Sequence, residues 1–251
     1  VSATDREITL ITGASAGIGY HLAKRLAAAG DTVIVLGRRR APLDALAADI
    51  HRAGGRAYVA VADVTDLEGM AAALEQVVAD TGPVTRLIAN AGGGKPTFID
   101  RFSVDDARQT WRVNLDGTLH SVAYVLADMR AARSGHLVFM GSIAAARGLP
   151  TAAAYSAAKA GVARFAESMA VDCQAAGIDV TLLEPGFVTK PGKRVKWPRM
   201  SMERATRDMA AAIIRRRPYW RGPRRLIFAA WVLRLLPSRA YNRLLAGRGR
   251  S

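Results

Sequence analysis

The sequence predicts an α/β fold, a doubly wound parallel sheet covered by helices in three α/β/α layers. Two observations carry this. Short β-rich runs alternate with alanine-rich helical stretches, and the runs are apolar almost throughout, as strands buried on both faces need to be. The predicted strands are Glu7 to Thr12, Thr32 to Leu36, Ala57 to Val61, Val84 to Ala89, His136 to Met140 and Asp179 to Leu183. The helices between them run from Gly17 to Ala29, Pro42 to Ala53, Asp66 to Ala79, Ser103 to Ala132 and Thr151 to Ala175. Gly30, Gly54-Gly55, Gly82-Pro83 and Gly177 supply their stop signals. Right-handed crossovers assemble such a series into a sheet whose ligand crevice lies beyond the carboxyl ends of the strands.

A chain of 251 residues, 50% of them hydrophobic, buries a substantial core and reads as one domain over residues 1–251. With 23% charged and 6% aromatic residues it is not a disordered scaffold. The one cysteine, Cys173, cannot close an intrachain disulfide, and no basic stretch followed by an apolar core opens the sequence. A cytoplasmic protein is expected. No clustering of residues suggests a metal site. The longest apolar run, Leu226 to Leu236, is interrupted by Arg234 and falls short of the ~20 residues a spanning helix needs.

The net charge of +15 is unevenly placed. Residues 1–186 hold 18 basic and 19 acidic side chains, whereas residues 187–251 hold 18 basic and 2 acidic. A nucleic-acid-binding domain would carry basic residues on a recognition helix or sheet face with interleaved aromatics, and the first 186 residues show no such motif. No nucleic-acid partner is expected, and the tail needs its own explanation.

After the first strand comes Thr12-Gly13-Ala14-Ser15-Ala16-Gly17-Ile18-Gly19, three glycines where a strand turns into a helix. Glycine permits the tight turn and lets backbone N–H groups approach a pyrophosphate at the helix N-terminus. An ordinary strand-to-helix turn needs one glycine, so the run points to a dinucleotide held by Gly13, Ser15, Ala16, Gly17, Ile18 and Gly19. The second strand ends in Gly37-Arg38-Arg39-Arg40, where a site for NAD places a carboxylate against the ribose 2′-hydroxyl. Guanidinium groups there favour the 2′-phosphate of NADP(H), with Arg38 the first choice for that contact and Arg39 the second. Arg40 reads as the solvated start of the next helix. Asp63-Val64 and Asn90-Ala91-Gly92, at the ends of the third and fourth strands, fit the same ligand, although Asp63 also suits a cap for the helix near Asp66.

Tyr155-Ser156-Ala157-Ala158-Lys159 places a phenol and an ammonium four residues apart on one helical face. An adjacent cation favours the phenolate, which brings a phenol with an ordinary pKa near ~10 closer to proton transfer at neutral pH. Ser142, after the fifth strand, delivers a hydroxyl to the same end of the sheet.

Taken together these motifs resemble the short-chain dehydrogenase/reductase family over about residues 5–190, in the order Thr12-Gly13-x-x-x-Gly17-x-Gly19, Asp63, Asn90-Ala91-Gly92, Asn114, Ser142, Tyr155-x-x-x-Lys159, Pro185-Gly186 and Thr189. The resemblance implies a Rossmann fold and an NADP(H)-dependent conversion between a carbonyl compound and an alcohol. It implies Tyr155 as general acid/base and Lys159 as the holder of the nicotinamide ribose and the group that lowers the Tyr155 pKa. Ser142 would position the substrate oxygen, Asn114 would support a water-mediated proton relay, and Pro185, Gly186, Val188 and Thr189 would line the nicotinamide side. It also implies a homodimer or homotetramer pairing the helices near residues 103–132 and 151–175. Ala89 departs from the family's usual asparagine before Asn90-Ala91-Gly92, and the Gly92-Gly93-Gly94 run suggests a pliable loop.

Residues 187–251 read as a basic substrate loop and a C-terminal helical extension. They contain Lys193-Arg194-Val195-Lys196-Trp197-Pro198, a predicted helix from Met202 to Arg217, the Leu226–Leu236 run and an amphipathic stretch from Tyr241 to Leu245. Two uses of the apolar run are open: packing on the domain edge or a subunit, and peripheral contact of residues 223–246 with the inner face of a membrane. The rivals to an enzyme are a catalytically silent nucleotide-binding protein and a membrane-surface adaptor using this tail.

Overall fold

The computed structural model describes residues 6–189, 192–195 and 198–247. Lys196 and Trp197 of the basic run lie outside these. From its amino end the chain passes through β1 (Ile8–Thr12), α1 (Gly17–Ala28), β2 (Thr32–Gly37), α2 (Arg40–Arg52), β3 (Arg56–Val61) and α3 (Leu67–Thr81). It continues through β4 (Arg86–Ala89), α4 (Val104–Trp111), α5 (Gly117–Ala131), β5 (Gly135–Met140), α6 (Ala153–Gln174) and β6 (Ile178–Pro185). A short parallel pair, β7 (Val188–Thr189) and β8 (Met200–Ser201), precedes α7 (Met202–Ile214), β9 (Tyr219–Gly222), α8 (Arg224–Leu235) and α9 (Ser238–Leu245).

Seven strands make one parallel sheet in the order β3-β2-β1-β4-β5-β6-β9. The order reverses between β1 and β4, which opens the crevice of a doubly wound sheet at their carboxyl ends. Successive strand residues enter opposite cores. Ile11, Val33 and Val35 meet Leu22, Leu26, Leu43, Met209 and Ile213 on one face. Leu10, Ile34 and Leu36 meet Met70, Leu74, Val122, Val125 and Val162 on the other. Both sets being apolar is what made the strands read as continuous runs.

Three expectations need correction. The helix predicted over Ser103 to Ala132 is two helices joined by one wide turn of π geometry, Arg112–Asp116, in which the Gly117 N–H reaches the Arg112 carbonyl. The six predicted strands become seven, because Tyr219–Gly222 pairs with β6 as an edge strand. The helix predicted from Met202 to Arg217 ends at Ile214. Strand β9 escaped a pattern search because only its glycine is buried, while Tyr219 and Arg221 are exposed.

At the amino end of the sheet lies a buried charged cluster. Arg86, on β4, donates to Glu7 (2.9 Å) and to Asp31 (2.6 Å), and Arg216 also reaches Glu7 (2.6 Å). The Arg86 Nε donates to His136 Nδ1 (3.2 Å), so the imidazole proton sits on Nε2 and is donated to Thr181 Oγ1 (2.8 Å). The Thr181 hydroxyl passes its own proton to the Arg217 carbonyl (2.7 Å). Burial, reinforced by the Arg86 and Arg216 charges, pushes the His136 pKa down to about 2. Burial is the largest influence on both carboxyls. At Glu7 the guanidinium groups and Thr85 outweigh it and the pKa is lowered; at Asp31 it prevails and the pKa is raised.

Candidate active site

The glycine turn follows β1 and is braced against the end of β4. Thr12 Oγ1 accepts hydrogen bonds from the Asn90 and Ala91 N–H groups (3.1 and 3.0 Å), and Asn90 Nδ2 donates to the Thr12 and Gly13 carbonyls (2.8 and 3.3 Å). Asn90 therefore supports the turn through its side chain. Gly13 and Gly17 have φ of +67° and +62°, the left-handed region that favours glycine. A Cβ on Gly19 would lie 2.5 Å from Asn90 Nδ2, so this glycine serves helix-to-strand packing. Nothing lies within 4 Å of a Cβ built on Gly17, which leaves the N-terminus of α1 open to the crevice.

Beside the turn is a cavity of about 300 Å³, lined among others by Ser15, Ala16, Arg38, Arg39, Asp63 and Val64. Gly13, Ala91 and Gly92 complete its wall near β4, whereas Ile18 packs against the core. Arg38 pairs with Asp63 (3.5 Å), and Arg39 donates to Ser15 Oγ (3.1 Å). Arg40 turns away to Asp44 (3.4 Å), as a helix-start residue should. Asp63 also accepts from the Thr65 N–H and hydroxyl, both at 2.9 Å, while Asp66 caps α3. Burial raises the Asp63 pKa, but the Thr65 bonds and the Arg38 charge outweigh it and leave the carboxyl below its ordinary value.

Ser142, Tyr155, Lys159 and Asn114 converge next to this cavity. The Tyr155 and Ser142 side chains are hydrogen-bonded. Lys159 Nζ donates to the Met140 carbonyl (2.7 Å) at the end of β5 and lies 5.8 Å from the centre of the Tyr155 ring. Asn114, wholly buried in the wide turn, donates to the carbonyls of Gly93 (2.6 Å) and Thr110 (2.7 Å). A Cβ on Gly92 would come within 2.7 Å of Asn114 Oδ1 and 3.1 Å of Lys159 Nζ, and one on Gly94 within 2.8 Å of Thr110. Close approach at Gly92 and Gly94, with φ of +145° at Gly93, gives each glycine of the run a steric reason.

The electrostatics correct one expectation. Burial raises the Tyr155 pKa, and the Ser142 hydrogen bond opposes this without reversing it. Lys159, expected to lower the phenol, is itself buried and its pKa falls to about 8.

Pro185 ends β6, and the Gly186 N–H donates to the Gly222 carbonyl (2.7 Å). Val188 and Thr189 form β7. Thr189 Oγ1 is the buried side-chain polar atom that lacks a hydrogen-bond partner among the described residues. A hydroxyl without a partner among the described residues, a helix N-terminus without side chains in its way and two cavity-lining guanidinium groups fit a dinucleotide cofactor. Sequence reasoning left Thr12 and Met140 out of the site, although they brace Asn90 and Lys159. Met140 acts through its carbonyl, which no side-chain pattern reveals.

The short chain dehydrogenase family profile matches residues 7–199. Cis-4-hydroxycyclohexanecarboxylate dehydrogenase of Sinomonas cyclohexanicum is 36% identical over 185 residues, 73% of this chain and 74% of that protein. NAD+-bound xylitol dehydrogenase superposes with a TM-score of 0.71 at 30% identity, covering 76% of this chain and 74% of that one. A variant of actinorhodin polyketide ketoreductase with NADPH gives 0.77 at 26% identity, with 85% and 92% coverage. This chain belongs to the short-chain dehydrogenase family.

Proposed function

We propose that the protein is an NADP(H)-dependent oxidoreductase that interconverts a ketone or aldehyde and the corresponding alcohol, with Tyr155 as general acid/base. The observation that carries this reading is the convergence of Tyr155, Ser142, Lys159 and Asn114 beside the crevice at the β1/β4 reversal. When bound, the nicotinamide supplies or accepts the hydride. The protein's part is the proton. With its pKa raised by burial, Tyr155 is a neutral phenol at neutral pH and can donate to a carbonyl oxygen as that group becomes an alcohol. Ser142 holds the phenol and substrate oxygen in line. Lys159, fixed by the Met140 carbonyl, places a positive charge beside the phenolate that remains and stabilises it. Asn114 keeps the wide turn and the Gly93 loop in register beside Lys159.

The preference for NADP(H) is supported by Arg38 and Arg39 lining the cavity directly after β2, a segment that itself carries no acidic residue, although Asp63 from the end of β3 pairs with Arg38. Arg38→Ala and Arg39→Ala test it through titrations with NADPH and NADH. Loss of one charged hydrogen bond is worth ~1.5–3 kcal/mol, so each variant is expected to weaken NADPH at least about tenfold and leave NADH within a few-fold. An equal loss for both cofactors would remove the preference from these residues.

This reading takes the whole chain as one catalytic domain. It includes pairing of two copies along α5 and α6, supported by the exposed apolar side chains Leu119 and Val171. Cys173, buried and free, suits the reducing cytoplasm.

A further inference from the structure

The two uses weighed for the apolar C-terminal run belong to opposite faces of one helix. Leu226, Ala230 and Leu233 of α8 are half-buried toward the body, and Leu226 sits over Gly186, where an added Cβ would meet it at 2.6 Å. Phe228, Val232 and Leu235, spaced four and three residues apart, form one outward stripe with exposures of 66%, 39% and 64%. The hairpin of α8 and α9 is fixed in place. Arg147, from the loop after Ser142, donates to the carbonyls of Leu233 and Leu236 at the end of α8 and stacks on Tyr241 of α9 at 3.9 Å. The Tyr241 hydroxyl donates back to the Gly148 carbonyl.

The charge around the stripe has one sign. From Met209 to Ser251 the sequence holds 11 arginines and no acidic residue. Arg224 and Arg225 occupy the first turn of α8, the end at which the helix dipole disfavours a cation, and neither has an ion pair among the described residues. Helix stability does not explain their position. Between them and Pro198 runs a shallow groove of about 550 Å³ with predominantly apolar walls, including Leu226 and Phe228. No helix among the described residues is long and apolar enough to cross a membrane.

We propose that the outer face of α8, with its flanking arginines, is a docking surface for an anionic lipid membrane. The stripe enters the headgroup and upper acyl region while the guanidinium groups bind lipid phosphates, as in helices that lie in the plane of the interface. Charge complementarity selects this occupant: a second copy of the chain would bring another all-arginine segment against the first. Because α8 rests on Gly186 and Arg147 ties its end to the Ser142 loop, docking sets the proposed nicotinamide side of the site close to the lipid surface.

The test is sedimentation of the full-length protein with phosphatidylglycerol-containing vesicles and with pure phosphatidylcholine vesicles, which needs no turnover and so stands apart from the catalytic reading. Binding is expected to the anionic vesicles alone, and to fall steeply toward about 1 M salt, where charges are screened beyond ~3 Å. Arg224→Gln with Arg225→Gln should weaken it about fivefold per charge removed. Val232→Ser with Leu235→Ser should weaken it about tenfold, with melting temperature and NADPH affinity unchanged. No binding to the anionic vesicles at low salt would overturn the proposal, as would binding that both double variants leave intact. A change in the oligomeric state of the serine variants without vesicles would assign the stripe to a second copy and also overturn it.

Discussion

The two ends of the central sheet treat polar groups in opposite ways. At the amino end Glu7, Asp31, Arg86 and His136 are held in a closed network that runs on through Thr181 to a backbone carbonyl. At the carboxyl end the Thr189 hydroxyl has no partner among the described residues, Arg38 and Arg39 face a cavity, and Lys159 is buried with a displaced pKa. Buried polar groups cost free energy unless paired, so a closed network can be retained for structure alone. Charged groups that line a cavity stay open to a ligand even when, like Arg38 with Asp63 and Arg39 with Ser15, they already have protein partners. A perturbed pKa does not separate the two ends, since His136 is displaced further than Lys159. What separates them is access: the amino-end groups are enclosed by one another, whereas Arg38 and Arg39 line an open cavity.

Substitutions at each end should therefore fail in different assays. Tyr155→Phe is expected to lower turnover by ~10²–10⁴-fold while NADPH affinity and melting temperature stay near those of the parent, because proton transfer alone is removed. Arg86→Met should do the reverse. It strands Glu7 and Asp31 in the interior, and breaking a buried pair costs ~3–5 kcal/mol, read by denaturant unfolding, with turnover per folded molecule retained. An Arg86→Met protein that was stable but inactive would dissolve the contrast.

The pH dependence of stability sharpens it. His136 is neutral in the folded protein down to about pH 2, whereas the unfolded chain protonates it near pH ~6.5. The unfolded state then holds the extra proton, so stability falls as pH drops below about 6.5, by ~1.4 kcal/mol per unit. His21, also lowered by burial and its basic neighbours but partly exposed, adds a smaller effect of the same sign. Between pH ~6.5 and ~5, above the range of ordinary carboxylates, His136→Asn should remove most of the slope. The slope, not the absolute stability, is the readout. Arg40→Ala, which touches neither end, should change stability by under ~0.5 kcal/mol and leave NADPH affinity alone, since its pair with Asp44 is exposed.

Much of this was legible in the sequence, for identifiable reasons. Six strands showed because burial on both faces forces continuous apolar runs, and the glycine turn because positive φ and close approach admit little else. The wide turn at Asn114 did not show, since an inserted π turn leaves local composition helical. Strand β9 is an exposed edge and reads as polar. The direction of the Tyr155 shift was not legible either: spacing reveals the Lys159 neighbour, whereas burial depends on chain segments far away in sequence. The motif could name the pair without giving the balance between them.

The most direct measurement is to titrate the protein with NADPH and then add a panel of ketones and aldehydes while following the absorbance of the reduced nicotinamide. The account predicts saturable NADPH binding and oxidation that depends on a carbonyl compound and is nearly abolished by Tyr155→Phe. No binding of NADPH or NADH, or carbonyl-dependent oxidation undiminished in Tyr155→Phe, would contradict it.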